Sequence, residues 1–516
     1  MASSKKRFDA ALPWIVAAVT ILVFWSCTRN GFVSIDDPDY VLRPFRELSL
    51  AAVRAAFAGS HASNYVPLTF LSLSLDFALW GMNPFGYHLT NVLLHAANAA
   101  LFFLIARELL ALGGKIEDDG WAAAAAALFF SLHPLRVQSV AWIAERKDVL
   151  CGFFFLLSLL AWLRSFRPGA LKGARGKALA AGAFLLALFA KAAAVPLVLV
   201  LLLLDVWPLK RRLDSREVWL EKLPFAALAA AFAAIAVIAQ NTGGALVGAA
   251  KVAPRERLNQ IGIGLVWYAG KLLWPANLAI YEWHWAPVRP AVLLGAAATA
   301  FLFALAWRSR SLRAPLLTAW FYQAIMLAPV LGFVTIGHEL VADRYSYLSG
   351  LGWAVLFGAG LKLLSRRSRL IAAAFAAGLL VDYAATSYAQ IPVWRDSVTF
   401  WKQVARVDPY SLAARPSLAV ALVDQGRTGE AVLELEEHVA LHPQDTEMKT
   451  ALADLVKRTG ITEKDHALIH EHLGLEFAAK GELDKAAWHF EKGLKYDPGS
   501  ERLKAELARA RLGKGP

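Results

Sequence analysis

The sequence predicts an all-α protein, in which a polytopic helical membrane domain is followed by a tetratricopeptide-repeat α-solenoid. Three observations predict it. The 516 residues are 57% hydrophobic and only 18% charged, whereas soluble domains run at roughly 25% charged. The apolar residues come in long blocks, and about 20 helical residues suffice to cross a hydrocarbon core. After about residue 390 the composition turns charged and a helical repeat sets in.

About eleven spans are expected, near 12–29, 88–107, 121–135, 148–165, 177–191, 193–208, 223–240, 290–307, 315–335, 347–364 and 370–388. The first follows Lys5, Lys6 and Arg7 and is expected to be a retained helix, because no small-residue cleavage signal follows it. Further basic clusters fall at Arg164–Lys177, Lys210–Arg216, Arg308–Arg313 and Lys362–Arg369. With eleven spans all five clusters share one side, which the positive-inside rule makes cytoplasmic. The segment 258–275 is expected to be interfacial or re-entrant, with Trp267, Tyr268, Trp274, Trp283 and Trp285 at headgroup depth. The loop 30–87 and everything after 390 then lie outside the cytoplasm. The expected domains are 1–390 in the membrane and 391–516 outside it.

The net charge of +13 sits largely in short loops, so it sets topology and gives no reason to expect nucleic acid as a partner. Cys27 and Cys151 offer neither a disulfide framework nor metal-ligand spacing.

The first loop opens with GFVSIDDPDY, which holds Asp36, Asp37 and Asp39. No glycine-rich phosphate loop is present. Chemistry on the outer side would therefore draw on a group carried across the bilayer on a lipid. A carboxylate there can take the proton of an attacking hydroxyl, and a like-charged neighbour raises its pKa. Asp36 and Asp37 are the candidate catalytic residues. The pair could instead hold a divalent cation, or simply form a turn, to which Asp39 is assigned.

The second span reads YHLTNVLLHAANAALFF, and His88, Asn91, His95 and Asn98 make one helical stripe. Polar groups there face a wet cavity or bond neighbouring helices; His88, nearest the acidic loop, is the better functional candidate. His133 and Arg136 end the third span, Glu145-Arg146-Lys147-Asp148 follows, and Lys191 ends the fifth. HELVADRYSYL brings His338, Glu339, Asp343, Arg344, Tyr345 and Tyr347 to the same outer surface. His88, His133, Arg136, Arg146, Lys191, Arg344 and Tyr345 are the candidates for binding a lipid-linked phosphate, where cations serve best. The structural alternative is that each anchors its helix among the headgroups.

In the tail, LGLEFAAKGELDKAAWHFEKGLKYDP and PSLAVALVDQGRTGEAVLELEEHVALHP fit the tetratricopeptide frame, including Gly426 and Gly481. Pro409 and Pro443 are one repeat, 34 positions, apart. Such stacks present a concave face that suits a protein or peptide acceptor, here within residues 391–516. His466 and His470 share a helix face, but no third metal ligand has fitting spacing.

FVSIDDPDYV, YVPLTFLSLSLDFALWGMNPFGYHLTNVLLH, LHPLRVQSVAWIAERKDVLCGFFFLLSLLAWL and ADRYSYLSGLG, followed by the repeats, resemble bacterial relatives of the transmembrane and tetratricopeptide-repeat O-mannosyltransferases. The resemblance covers nearly the whole chain in the same order. It implies a GT-C fold in the bacterial inner membrane. It also implies inverting transfer of a mannose-like hexose from a polyprenyl-phosphate donor, a catalytic carboxylate at Asp36-Asp37, and repeats that select a protein acceptor. Lys191-Ala192 departs from the family's frequent Lys-Glu, and Val66-Pro67-Leu68 from the Arg that precedes Pro-Leu in some members. The residues also admit a lipid or surface-glycan acceptor, or an envelope assembly scaffold. Transport is disfavoured, because the polar groups gather at one face and the spans show no duplication.

Overall fold

Capping residues set the helix boundaries. Pro84 takes the first turn of the helix Pro84–Leu112, where its missing N–H leaves no carbonyl unserved, and the Asn83 side chain accepts from the Phe85 amide at 3.1 Å. The computed structural model describes residues 2–42, 48–113, 120–244, 254–278, 280–282, 289–331, 339–460, 462–479 and 481–513. His338, Trp283 and Trp285 lie outside the described residues. The described residues are helical apart from short turns and one antiparallel ladder, Ile280–Glu282 with Glu339–Ala342.

Among the described residues, six helices are long and apolar enough to cross a membrane: Asp9–Arg29, Pro84–Leu112, Ile143–Ser165, Arg216–Thr242, Pro290–Arg308 and Arg369–Trp394. A seventh exists if Asp343–Ser349 and Leu351–Ser365, bent by 59°, are one broken span. Three segments expected to span form shorter helices, and a fourth, of 18 residues, begins with charge. Gly120–Leu132 has 13 residues and stops at His133-Pro134; Leu197–Val206 has 10 and starts after Pro196. Ala174–Ala190 has 17 and breaks at Lys191, and Arg310–Leu327 carries Arg310 and Arg313 in its opening turns. The expected first loop is itself partly helical, at Leu50–Ala58 and Pro67–Trp80. The segment expected to be interfacial forms the helix Pro254–Leu273. Its Trp267 and Tyr268 are buried within the protein, unlike the exposed Trp274, so only the last fits a headgroup position.

The helices Ala2–Phe24, Gly120–Leu132 and Arg146–Ser165 pack around Pro84–Leu112. Its polar stripe stitches them together. Asn91 Nδ2 donates to the Val140 and Trp142 carbonyls at 3.2 Å, and Asn98 Nδ2 to Val149 O at 2.8 Å. His95 bonds Ser131 O at 3.0 Å and the Tyr347 hydroxyl at 2.8 Å. Outward positions such as Trp14, Phe301, Trp307 and Leu370 are exposed; hydrocarbon accepts such side chains without the penalty that water imposes.

The chain divides into two compact units, Met1–Phe400 and Trp401–Pro516. Residues 391–400 thus group with the first unit, ten residues beyond the composition break. In the second unit, Ala414–Asp424 packs on Thr428–Leu441, and Leu483–Tyr496 on both Glu463–Ala479 and Glu501–Arg511. Gly426 and Gly481 sit in turns with φ of 73° and 76°, a region that side chains disfavour. His466 and His470 serve one carboxylate: Glu436 lies 3.1 Å from His466 Nδ1 and 3.5 Å from His470 Nε2, and accepts from the Tyr496 hydroxyl at 2.5 Å.

This cluster joins three helices. Burial alone would raise the Glu436 pKa, but the bonds from His470 and Tyr496 outweigh it and hold it below the usual 4.5. The stabilisation is therefore present above pH about 4.5 and lost as pH falls through the depressed value. Glu436→Gln in the full chain should speed hydrogen exchange across 428–496 at pH 7, and the difference from wild type should shrink below pH about 4.5. Equal exchange at pH 7 would show the cluster to be dispensable.

Candidate functional site

The two candidate aspartates of the acidic loop, Asp36 and Asp37, have different surroundings. Asp37 is wholly buried. One carboxylate oxygen accepts from the Val33 amide at 2.7 Å, the other from the Ala144 amide at 2.9 Å. Asp37 thus pins the loop to the turn that precedes the helix Arg146–Ser165. Burial pushes its pKa up to about 7, against the opposing pull of those two amides. Asp36, whose side chain is 38% exposed, accepts from Lys147 Nζ at 3.2 Å. The Asp39 and Tyr40 amides both bond Asp36 O, and Asp39 lies in the short π-helix Pro38–Leu42 rather than in the plain turn its sequence suggests.

Lys147 leads from Asp36 into a buried charge network. Its ammonium lies 3.3 Å from Glu145 Oε1 and 4.4 Å from the Tyr40 ring centroid. Glu145 also meets Arg344 Nε at 3.3 Å and Lys191 Nζ at 3.1 Å. Lys191 continues to Asp148 Oδ1 at 2.7 Å, and Asp148 accepts from the Ser139 hydroxyl at 2.9 Å. The Arg344 amide donates to Gln138 Oε1 at 2.8 Å, and its guanidinium to the Tyr345 hydroxyl at 3.2 Å. Asp36, Lys191 and the neighbours Arg344 and Tyr345 therefore come together from three distant stretches of the chain, joined through Lys147 and Glu145.

The other candidates do not join this network. Arg146 is buried and makes four hydrogen bonds: to Asp76 at 2.6 Å, Ser72 and Tyr87 O at 2.8 Å, and Asn91 Oδ1. That saturation leaves little for a phosphate. Arg136 is buried and donates to Ser346 O at 2.6 Å and Ser346 Oγ at 3.0 Å. His133 accepts from the Leu135 amide and bonds Leu272 O, both at 3.2 Å, which makes it a helix cap. His88 Nε2 donates to Gly31 O at 3.2 Å, so it holds the entry to the acidic loop from within.

Several participants were not singled out from the sequence. Glu145, Lys147 and Asp148 were visible only as a charged run beside Arg146; four charges next to a long apolar block were the available signal. The segment after residue 390 gave none. Arg395 O accepts from the Gly31 amide at 2.7 Å, Ser397 Oγ from the Ser34 amide at 2.9 Å, and Trp394 stacks on Trp142 at 5.4 Å.

A divalent cation fits poorly here. Asp36 and Asp37 are engaged by an ammonium and by two amide protons, and their carboxylates diverge. Among the described residues no group of three or more His, Cys, Asp or Glu is placed to hold a metal.

Comparisons with known proteins place the chain in context. It is 45% identical over 107 residues to the protein O-mannosyl-transferases TMTC2 of Mus musculus and of Homo sapiens. It is 35% identical over 122 residues to the human protein O-mannosyl-transferase TMTC4. The TMTC2 matches take in 21% of this chain and 12% of each relative; the TMTC4 match takes in 22% and 16%. The chain is thus related to the TMTC O-mannosyl-transferases, and it covers a small fraction of their length. Among solved structures, ArnT from Cupriavidus metallidurans bound to undecaprenyl phosphate aligns over 100% of this chain and 90% of its own, at 16% identity and a TM-score of 0.38. No family model matches.

Two outcomes follow from these placements. Arg146→Ala leaves Asp76 buried without its cation and should cost about 3–5 kcal/mol, read as a lower thermal unfolding midpoint in detergent. Asp37 is raised from 3.8 to about 7, so its contribution is full below pH about 4 and lost as pH rises toward 7. The difference in unfolding midpoint between wild type and Asp37→Asn should narrow between those values; a constant difference would mean that Asp37 does not titrate in that window.

Proposed function

We propose that the protein is a membrane glycosyltransferase that moves a hexose, most simply mannose, from a polyprenyl-phosphate donor to a hydroxyl of a protein acceptor outside the cytoplasm. The observation that carries this reading is the exposed Asp36 carboxylate at the rim of a network that joins Lys147, Lys191 and Arg344. The relationship to named O-mannosyl-transferases supports it.

In this reading Asp36 is the general base. It takes the acceptor's proton as the hydroxyl oxygen bonds to the anomeric carbon. The bond from that carbon to the phosphate oxygen breaks, and the phosphate leaves with the electron pair and inverts the centre. Lys147, Lys191 and Arg344 neutralise the departing phosphate, with Arg344 offering a planar fork. The three cations are matched by Asp36, Glu145 and Asp148, so an incoming phosphate competes with Asp36 for Lys147 and frees its carboxylate. Asp37 acts through position only: its two amide bonds hold Asp36 at the rim. The second unit would receive the acceptor peptide on its repeats.

The test is transfer by protein reconstituted with polyprenyl-phosphate hexoses, mannose first, and envelope proteins as acceptors. Asp36→Asn should cut transfer by at least about 10²-fold while donor binding persists. Lys191→Ala and Arg344→Ala should weaken donor binding instead. Full transfer by Asp36→Asn would remove this carboxylate from the mechanism.

A further inference from the structure

The far end of the first unit holds a separate cavity of about 520 Å³, within the roughly 300–1,000 Å³ typical of small-molecule sites. It lies between the helices Pro84–Leu112, Leu197–Val206, Arg310–Leu327 and Leu351–Ser365. Its deep part is apolar, with Phe102, Leu159, Val200 and Val355 among the lining. The hydroxyl of Tyr322, which also lines the cavity, is already donated to Leu348 O at 3.0 Å. The charged part is confined to one end. Lys210 follows the helix Leu197–Val206, and Arg366 ends Leu351–Ser365; both are exposed and both line the cavity. None of the described lining residues is acidic.

The acidic loop and its network sit at the ends of these helices opposite to Lys210 and Arg366. His88 is in the first turns of Pro84–Leu112 and Gly113 closes it; Arg344 precedes Leu351–Ser365 and Arg366 closes it. Lys210 also holds an unusual backbone, with φ of 52°. Side chains other than glycine adopt that region at a cost, and such residues concentrate where a ligand is held.

We infer that this cavity binds one anionic phospholipid, an acyl chain in the apolar part and the head-group phosphate between Lys210 and Arg366. The site is independent of the donor site and of the proposed transfer reaction. A water-filled cavity would need polar partners in its depth, and an uncharged apolar ligand would use the apolar lining but not the two cations at the opening. An acyl chain with a phosphate at one end matches both parts. The basic clusters Lys210–Arg216, Arg308–Arg313 and Lys362–Arg369 all lie at this end, where an anionic leaflet surface would supply such lipids.

Native mass spectrometry of the full chain, delipidated in detergent and then titrated with phosphatidylglycerol or with phosphatidylcholine of the same chains, tests the site. Wild type should retain one phosphatidylglycerol with about tenfold or greater preference, the scale of two basic residues acting on one head group. Lys210→Gln with Arg366→Gln should abolish the preference while leaving weak retention of both lipids. Ala359→Phe, which fills the apolar part, should remove retention of both. Equal binding of the two lipids by wild type, or an undiminished preference in the double charge variant, would overturn the site.

Discussion

A carboxylate taken out of water costs several kcal/mol unless cations come with it, and Glu145 is met by three. Lys147, Lys191 and Arg344 reach it from its own helix, from the break after Ala174–Ala190 and from the first turn of the bent helix pair. None of these elements can shift far without stripping Glu145 of a partner. The short helices around the site are therefore held by charge as well as by packing. This also gives a reason for where two of these helices end or begin: their termini deliver Lys191 and Arg344 to the network.

The run Glu145-Arg146-Lys147-Asp148 distributes its charges by helical geometry. Successive residues of a helix point about 100° apart. Arg146 turns inward to Asp76, Lys147 toward Asp36, and Asp148 toward Lys191. One turn of helix thus carries both the ion pair that fastens the framework and the groups that face the acidic loop. A replacement of Arg146 disturbs stability first, whereas one of Lys147 acts on the rim.

The helical class and the long spans were legible because each is written in a local pattern: apolar blocks and capping residues. The roles within the site were less so. Arg146 and Arg344 look alike as sequence, yet one is saturated by internal partners and the other meets the network. The difference lies in Asp76, a carboxylate inside an apolar helix some 70 positions away. The ends of the shorter helices were not legible, because hydropathy counts apolar residues and does not register where His133-Pro134 or Lys191 ends a helix. Asp36 and Asp37 were inseparable as neighbours; only the Val33 and Ala144 amides tell them apart.

Residues 391–397 carry a consequence for dissecting the chain. Composition changes near 390, which invites a cut there to remove the charged second unit. Such a cut would also remove Ile391, Trp394, Arg395 and Ser397, whose contacts reach Asn30, Trp142, Gly31 and Ser34. The acidic loop would lose its outer fastening while keeping every residue of its motif. An inactive protein truncated at 390 would then report on a loosened loop, not on the work of the second unit; a cut after Phe400 separates the two.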